Sequence, residues 1–231
     1  MKKLTITATL KTPVITLGYF TFDGLLGGVI FDKRNDGDVA AAHAAIPIKC
    51  TDGLYHASAA RFIGASFGRA SFSAALRATH DLDQDQILKS KDGTKLHRTL
   101  GLKRMREFGM VKNDYKIIIA ARIEWDVEGD DQGIAETLED VFWIGKRRAA
   151  GYGEVSNWDM QYGNSDGLVG PSGEPMRPIP ATRFKGDLTQ PLTDAAWKPA
   201  YWAFEHRAAC FVPSNEWRFP QPEEQVIDEH V

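Results

Sequence analysis

The sequence predicts an α+β fold in the order strand, helix, strand, strand, helix, strand. Three observations carry this. Leu4, Ile6, Ala8 and Leu10 alternate with Thr5, Thr7, Thr9 and Lys11, the period of a half-buried strand. The segments Phe22–Arg34 and Asp131–Trp143 carry apolar residues at helical spacing. The run Lys116–Val127 is the longest strand signal, apolar on both faces at first and alternating afterwards.

Each element has its own punctuation. Pro13 ends the first strand, because proline cannot extend a ladder. Asp23 is the expected N-cap of the first helix, with Leu25, Leu26, Val29 and Ile30 as its apolar stripe. Gly27 and Gly28 each weaken that helix by about 1 kcal/mol relative to alanine, so close packing on a neighbour is expected there. Asn35-Asp36-Gly37-Asp38 reads as a turn and Val39–Ala45 as a short Ala-rich helix. Leu54–Ser58 reads as the second strand, and 64–76 as a hairpin or loop.

Asp130 and Asp131 suit the start of the second long helix, where backbone N–H groups lack partners. Ile134, Leu138, Val141 and Phe142 form its stripe, and Gly145 suits the left-handed residue just past its end. Val155–Gln161 reads as the last strand of the set, and 163–180 as loop. Trp197, Tyr201, Trp202, Phe204 and Trp217 are expected to form core in a second small sheet.

The resulting βαββαβ order is the ferredoxin-like pattern, shared with RRM domains. It predicts a domain over 1–162, with a basic insertion at 78–115 between the second and third strands. A small β-rich C-terminal extension with an acidic tail follows over 163–231.

Composition narrows function. Hydrophobic residues make up 43% and charged residues 26% of the 231, as in ordinary globular proteins. The net charge of −3 excludes a uniformly basic nucleic-acid binder, so any such role depends on local asymmetry. No run of about 18 apolar residues is present to cross a membrane, and no signal peptide is read at Met1-Lys2-Lys3. Cys50 and Cys210 form no zinc pattern and fit a reducing cytosol. No cofactor and no metal are expected. Asp81, Asp83 and Asp85 alternate as calcium ligands do, but no glycine or distal glutamate completes that loop.

Local asymmetry is strong in two places. Lys89–Arg122 holds ten cations (Lys89, Lys91, Lys95, Arg98, Lys103, Arg104, Arg106, Lys112, Lys116 and Arg122) against three anions. Asp92-Gly93 marks a hairpin turn within it. This predicts a projecting arm that tracks phosphates, with Phe108 and Met110 as wedges between bases. The second place is Gly145-Lys146-Arg147-Arg148-Ala149-Ala150-Gly151-Tyr152-Gly153. Here glycines permit close backbone approach, cations neutralise phosphate, and Tyr152 offers a ring for stacking. The same residues also suit a simple helix cap. The loop is not a P-loop, since it follows a helix and no Ser or Thr follows the Gly-Lys pair. His56, beside Tyr55, reads first as a hydrogen-bonded structural residue and second as a chemical one.

The helix, then Gly-Lys-Arg-Arg-Ala-Ala-Gly-Tyr-Gly-Glu-Val, then strand resembles the glycine-rich loop of the RAMP superfamily of CRISPR-associated proteins. The stretches Phe22–Gly28 and Gly53–Ala59 look more narrowly like the type IV effector subunit that caps the 5′ handle of the guide RNA. The resemblance covers about residues 1–162. It implies a non-catalytic ribonucleoprotein subunit in the cytoplasm, holding guide RNA through Gly145–Arg148, Gly151–Gly153, His56, Arg61 and the basic insertion. Its implied neighbours are backbone and large subunits near target DNA. The alternative is a metal-independent endoribonuclease of the same superfamily, with His43, His56 and His97 as candidate bases.

Overall fold

The computed structural model describes residues 1–74 and 111–221. The chain is mixed α+β with antiparallel sheets. It forms two compact units, 1–67 with 118–231 and 68–117.

In the first unit the main sheet is built around β1 (Lys2–Leu10). Its apolar alternation appears as Leu4, Ile6 and Ala8, each buried. Helix α1 (Phe22–Arg34) follows over the expected residues, and α2 (Val39–Ala44) caps its own start with the Asp38 carboxylate. The β2 (Cys50–Thr51) and β3 (Leu54–Tyr55) strands make a small hairpin, so Leu54–Ser58 is not the expected second strand of the main sheet. That place is taken by β4 (Arg61–Ile63). The reason lies at Ser58. Ala57 bridges Val127, but Arg61 pairs Glu124, so the register slips by one residue between them. The Ser58 hydroxyl then accepts from the Asp126 N–H at 2.9 Å, replacing a ladder carbonyl at the irregularity.

The strand signal Lys116–Val127 divides. β5 (Ser66–Ala74) pairs with β6 (Val111–Ile119), and β7 (Arg122–Gly129) belongs to the main sheet. The break falls at Ala120–Ala121, where the Ala121 carbonyl accepts from Leu10 N. The second unit contains most of the β5–β6 pair, with Phe72 and Tyr115 edge to face at 5.7 Å and Ser71 hydrogen-bonded to Asp114.

Helix α3 (Asp131–Leu138) starts as expected, with Asp130 Oδ2 accepting from Gly133 N. It ends five residues before the expected Trp143. Val141 N donates instead to the Leu138 carbonyl at 2.9 Å, a tighter turn that leaves the α-helical ladder. The chain beyond pairs with β8 (Val155–Tyr162), whose Trp158 Nε1 and Val155 N donate to the carbonyls of Val141 and Phe142, both at 2.8 Å. Phe142 therefore leaves the apolar stripe and is 60% exposed. The α3 end is closed from α1: Lys33 Nζ donates to the Thr137 carbonyl at 3.3 Å, a cation against the negative helix terminus.

The main sheet runs β4-β7-β1-β8, antiparallel throughout. The Leu4, Ile6 and Ala8 row pairs Val127, Trp125 and Ile123, and this face packs with Phe22, Leu26, Ile134 and Leu138 of the helices. Gly27 has the expected packing reason: a Cβ there would lie 3.2 Å from Ile46 Cδ1, whereas Gly28 faces open space.

The C-terminal part adds β9 (Ile179–Pro180), β10 (Thr193–Ala196) and β11 (Arg207–Phe211) in the order β10-β11-β9, and the short helix α4 (Asn215–Arg218). Phe184 and Phe211 pack at 4.8 Å in its core with Leu54 and Ile179. Trp202 and Phe204, expected in that core, are 84% and 85% exposed, since the β10–β11 connection carries them outward.

This part is anchored by Arg177, which is fully buried. Its guanidinium donates to Asp23 Oδ1 (3.1 Å), the carbonyls of Tyr55 (2.6 Å), Ala57 (3.0 Å) and Trp197 (2.8 Å), and the Tyr201 hydroxyl (2.6 Å). Tyr201 in turn donates to Asp23 at 2.6 Å. Asp23 is thus not the cap of α1; Thr21 holds that position, without a side-chain bond. Burial alone would make Arg177 easier to deprotonate, but Asp23 and Tyr201 outweigh it and hold its pKa above the ordinary value.

Candidate functional site

The glycine-rich loop is a turn closed by strand-like pairing. Trp143 bridges Glu154, and Ile144 N donates to the Gly153 carbonyl at 2.9 Å. The turn is pinned to the segment after β1 by Gly153 N to the Pro13 carbonyl (2.8 Å) and Lys146 N to the Ile15 carbonyl (2.7 Å). Gly145 is not a helix cap, because α3 has ended at Leu138. It is required by a φ of +77° and by the Ile15 carbonyl, which would stand 2.5 Å from a Cβ. Gly153 has the same φ, and its Cβ would overlap the Ile144 carbonyl. Gly151, at φ +87°, faces open space.

This tight frame presents Lys146, Arg147 and Arg148 at the surface. Arg148 lies 3.7 Å from Asp32 across solvent, an exposed pair of small energetic weight. Tyr152 is half-buried. Beside the cations lies a shallow depression of about 530 Å³ lined by Trp143, Arg148, Ala149 and Gly151. An adjoining one includes Phe142, Trp143, Lys33 and Arg148. Apolar rings next to cations on an open surface suit stacked bases with their phosphates. Phe142 and Trp143 were not legible as surface rings, because helical spacing assigned Phe142 to the core.

The other predicted residues lie elsewhere. Arg61 donates to Glu124 at 3.1 Å and lies 3.6 Å from Asp126, with Trp217 under its guanidinium at 5.8 Å. Lys89, Lys91, Lys95, Arg98, Lys103, Arg104 and Arg106 lie outside the described residues, as do His97, the Asp92-Gly93 turn, Phe108 and Met110. Lys112 and Lys116 are on β6.

His56 sits at the opposite end of β1 from the loop. It bonds backbone to backbone with Glu128, which pairs Lys3, whereas the loop end meets Lys11. Eight residues of strand separate those points, roughly 25 Å. His56 is 8% exposed. Its Nε2 lies 3.0 Å from the Thr51 hydroxyl, and its Nδ1 lies 3.4 Å from Glu128 Oε2 and 3.7 Å from Asp166 Oδ2. Glu128 is held by Lys49, whose Nζ donates to both carboxylate oxygens at 2.9 Å and keeps its pKa low. The imidazole opens on a cleft of about 580 Å³, with Thr51, Asp166, Thr182, Arg183 and Lys185 among its walls.

Burial, then the Lys49 charge, lowers the His56 pKa, and these outweigh Asp166 and Glu128. The folded state therefore resists a proton that the unfolded chain accepts near pH 6.5 (about the free imidazole value). The stability from this neutral histidine is fully present above about pH 6.5 and is lost as pH falls below it. His43, lowered by burial and then by His206, acts in the same direction. Thermal melts between pH 8 and 5 are expected to fall more steeply with acidity for the natural chain than for His56→Gln. Equal slopes would remove His56 from this account.

No family model matches the chain, and no curated protein matches it.

Proposed function

We propose that this chain is a non-catalytic RNA-binding subunit, and that the loop at 145–153 is its guide-RNA contact. The observation that carries the reading is the exposed Lys146-Arg147-Arg148 triplet on a turn that Gly145 and Gly153 hold rigid, beside Phe142 and Trp143. Pre-positioned cations next to open ring faces bind single strands without base-specific hydrogen bonds.

The frame supports this reading. Strand order β4-β7-β1-β8, with α1 between β1 and β4 in sequence and α3 between β7 and β8, fits a ferredoxin-like domain of the RRM kind. The motif resemblance then narrows the proposal to a RAMP protein of a type IV CRISPR effector complex in the cytoplasm. Its RNA ligand would be the 5′ handle of the guide, its protein neighbours the backbone and large subunits, and target DNA would pass nearby.

The test is fluorescence anisotropy with a repeat-derived RNA at several salt concentrations. Arg147→Ala with Arg148→Ala is expected to weaken binding and to lower the log–log salt slope by about 1.4, at ~0.7 per phosphate contact on a single strand. Unchanged affinity and unchanged assembly with the other subunits would refute the reading.

A metal-independent endoribonuclease is the second reading, with His56 as base. Its Nδ1 faces two carboxylates and its Nε2 lies against Thr51, an arrangement with less access to a ribose hydroxyl than the loop has to phosphate. Cleavage of repeat RNA in chelator, abolished by His56→Ala, would move the conclusion to that reading.

A further inference from the structure

We propose that His56, Glu128 and Asp166 form a binding site for a divalent transition-metal ion whose remaining coordination positions open onto the adjoining cleft. This site is distinct from the glycine loop, and the inference stands whether or not that loop binds RNA.

The first observation is an unpartnered buried nitrogen. His56 is 8% exposed, and its Nδ1 makes no hydrogen bond among the described residues. Glu128 and Asp166 are close, but no hydrogen bond joins either to that nitrogen. A buried polar atom left so is unfavourable and needs a reason. The Thr51 hydroxyl supplies it. In the tautomer whose Nε2–H donates to that hydroxyl, Nδ1 carries a lone pair beside two carboxylates, at 3.4 and 3.7 Å. Lone pair against carboxylate is repulsive, and a cation between them converts three mutual repulsions into three attractions. An outer hydrogen bond that fixes the tautomer of a ligating histidine is the usual companion of such a site.

The second observation is size. One ligand atom from each residue can be chosen so that all lie within 4.8 Å of one another. The two edges from Nδ1 are 3.4 and 3.7 Å. Metal–ligand bonds of about 2.1 Å in a tetrahedron place ligand atoms roughly 3.4 Å apart. Small side-chain adjustment therefore suffices. One imidazole nitrogen with two carboxylate oxygens suits Zn²⁺ or Mn²⁺ rather than Cu⁺, which selects sulfur ligands. Three protein ligands leave at least one position open, the arrangement of a reactive rather than a purely structural centre. Asp166 and His56 both line the cleft, and Arg183 and Lys185 stand on its walls. An anionic group that completed the coordination would meet those cations.

Lys49 is the competitor. Its ammonium grips both oxygens of Glu128, and its side chain is 42% exposed, so it has solvent to withdraw into. This gives the proposal a signature that loose surface binding lacks: removing a cation from the site should tighten metal binding.

The experiment uses the untagged full chain carrying Cys50→Ser, because Cys50 is an exposed thiol that would bind Zn²⁺ by itself. The protein is stripped with chelator, dialysed, and titrated calorimetrically with Mn²⁺ and with Zn²⁺. One equivalent is expected to bind. Asp166→Asn is expected to weaken binding at least about tenfold, and Thr51→Val to weaken it about 10–100-fold as an outer-shell change. Lys49→Gln is expected to tighten it. Thermal melts should rise with ion in the parent protein and stay flat in Asp166→Asn, a partly exposed position at which asparagine keeps the Oδ1 that accepts from Leu168 N. Equal affinities in the parent, Asp166→Asn and Thr51→Val would overturn the proposal, as would no binding of either ion at millimolar concentration.

Discussion

Arg177→Ala is expected to lose about 3–5 kcal/mol of stability, the scale of breaking a buried ion pair by removing one partner. For a chain of this size that is a fall of roughly 6–20 °C in melting temperature. The loss has several parts. Asp23 loses its cation in a fully buried position, and the carbonyls of Tyr55, Ala57 and Trp197 lose a donor. The Tyr201–Asp23 bond remains but no longer has a cation beside it. Asp23→Ala should cost about as much, by stranding the guanidinium. The double variant Asp23→Leu/Arg177→Met should be more stable than either single alanine variant, because no buried charge is left unpaired. Urea denaturation of the four proteins decides this. A loss under about 1 kcal/mol for Arg177→Ala, the worth of an ordinary hydrogen bond, would mean that the network is incidental.

Gly153→Ala is the second large effect. The residue combines a left-handed φ with a site where a Cβ overlaps the Ile144 carbonyl. Left-handed backbone costs a non-glycine residue about 1–2 kcal/mol, and overpacking adds about 1–3, so roughly 2–5 kcal/mol is expected. Gly151→Ala shares the φ but meets open space, and should cost only about 1–2 kcal/mol. The pair separates shape from charge at the proposed RNA contact. Gly153→Ala removes no cation, yet should weaken RNA binding by displacing Lys146–Arg148; Gly151→Ala should leave it nearly unchanged. If both variants bind as the natural chain does, the turn's rigidity is irrelevant to the ligand.

Legibility in the sequence followed the range of the interactions involved. β1 and α1 are written in local periodicity, and both appear over the expected residues. Asp130 was legible as a cap because its acceptor reaches only three residues. Asp23 was not, because its partner Arg177 lies 154 residues away and nothing local announces a buried guanidinium. The run through Lys116–Val127 looks continuous, since apolar residues alone do not say which sheet a strand joins; the switch depends on Leu10 meeting Ala121. At the candidate loop the cations and glycines could be read directly. The rings at 142 and 143 could not, because their place follows from the chain leaving α3 at Leu138 to pair with β8, whose Val155 N donates to the Phe142 carbonyl. His56 was visible as a residue, but its carboxylate neighbours come from β7 and from the segment after β8, which only the fold brings together.

Ile63 and Arg122 are register partners across β4 and β7. The chain therefore departs from the main sheet and rejoins it at points one strand spacing apart, about 5 Å. Everything from 64 to 121 is, to the unfolded chain, a single loop whose ends must meet. Closing such a loop costs only about 0.6 kcal/mol more for each doubling of its length. The length of that segment thus weighs little on the equilibrium stability of the sheet. It weighs on folding speed instead, because β4 must find a partner that is distant in sequence before the pairing rewards it.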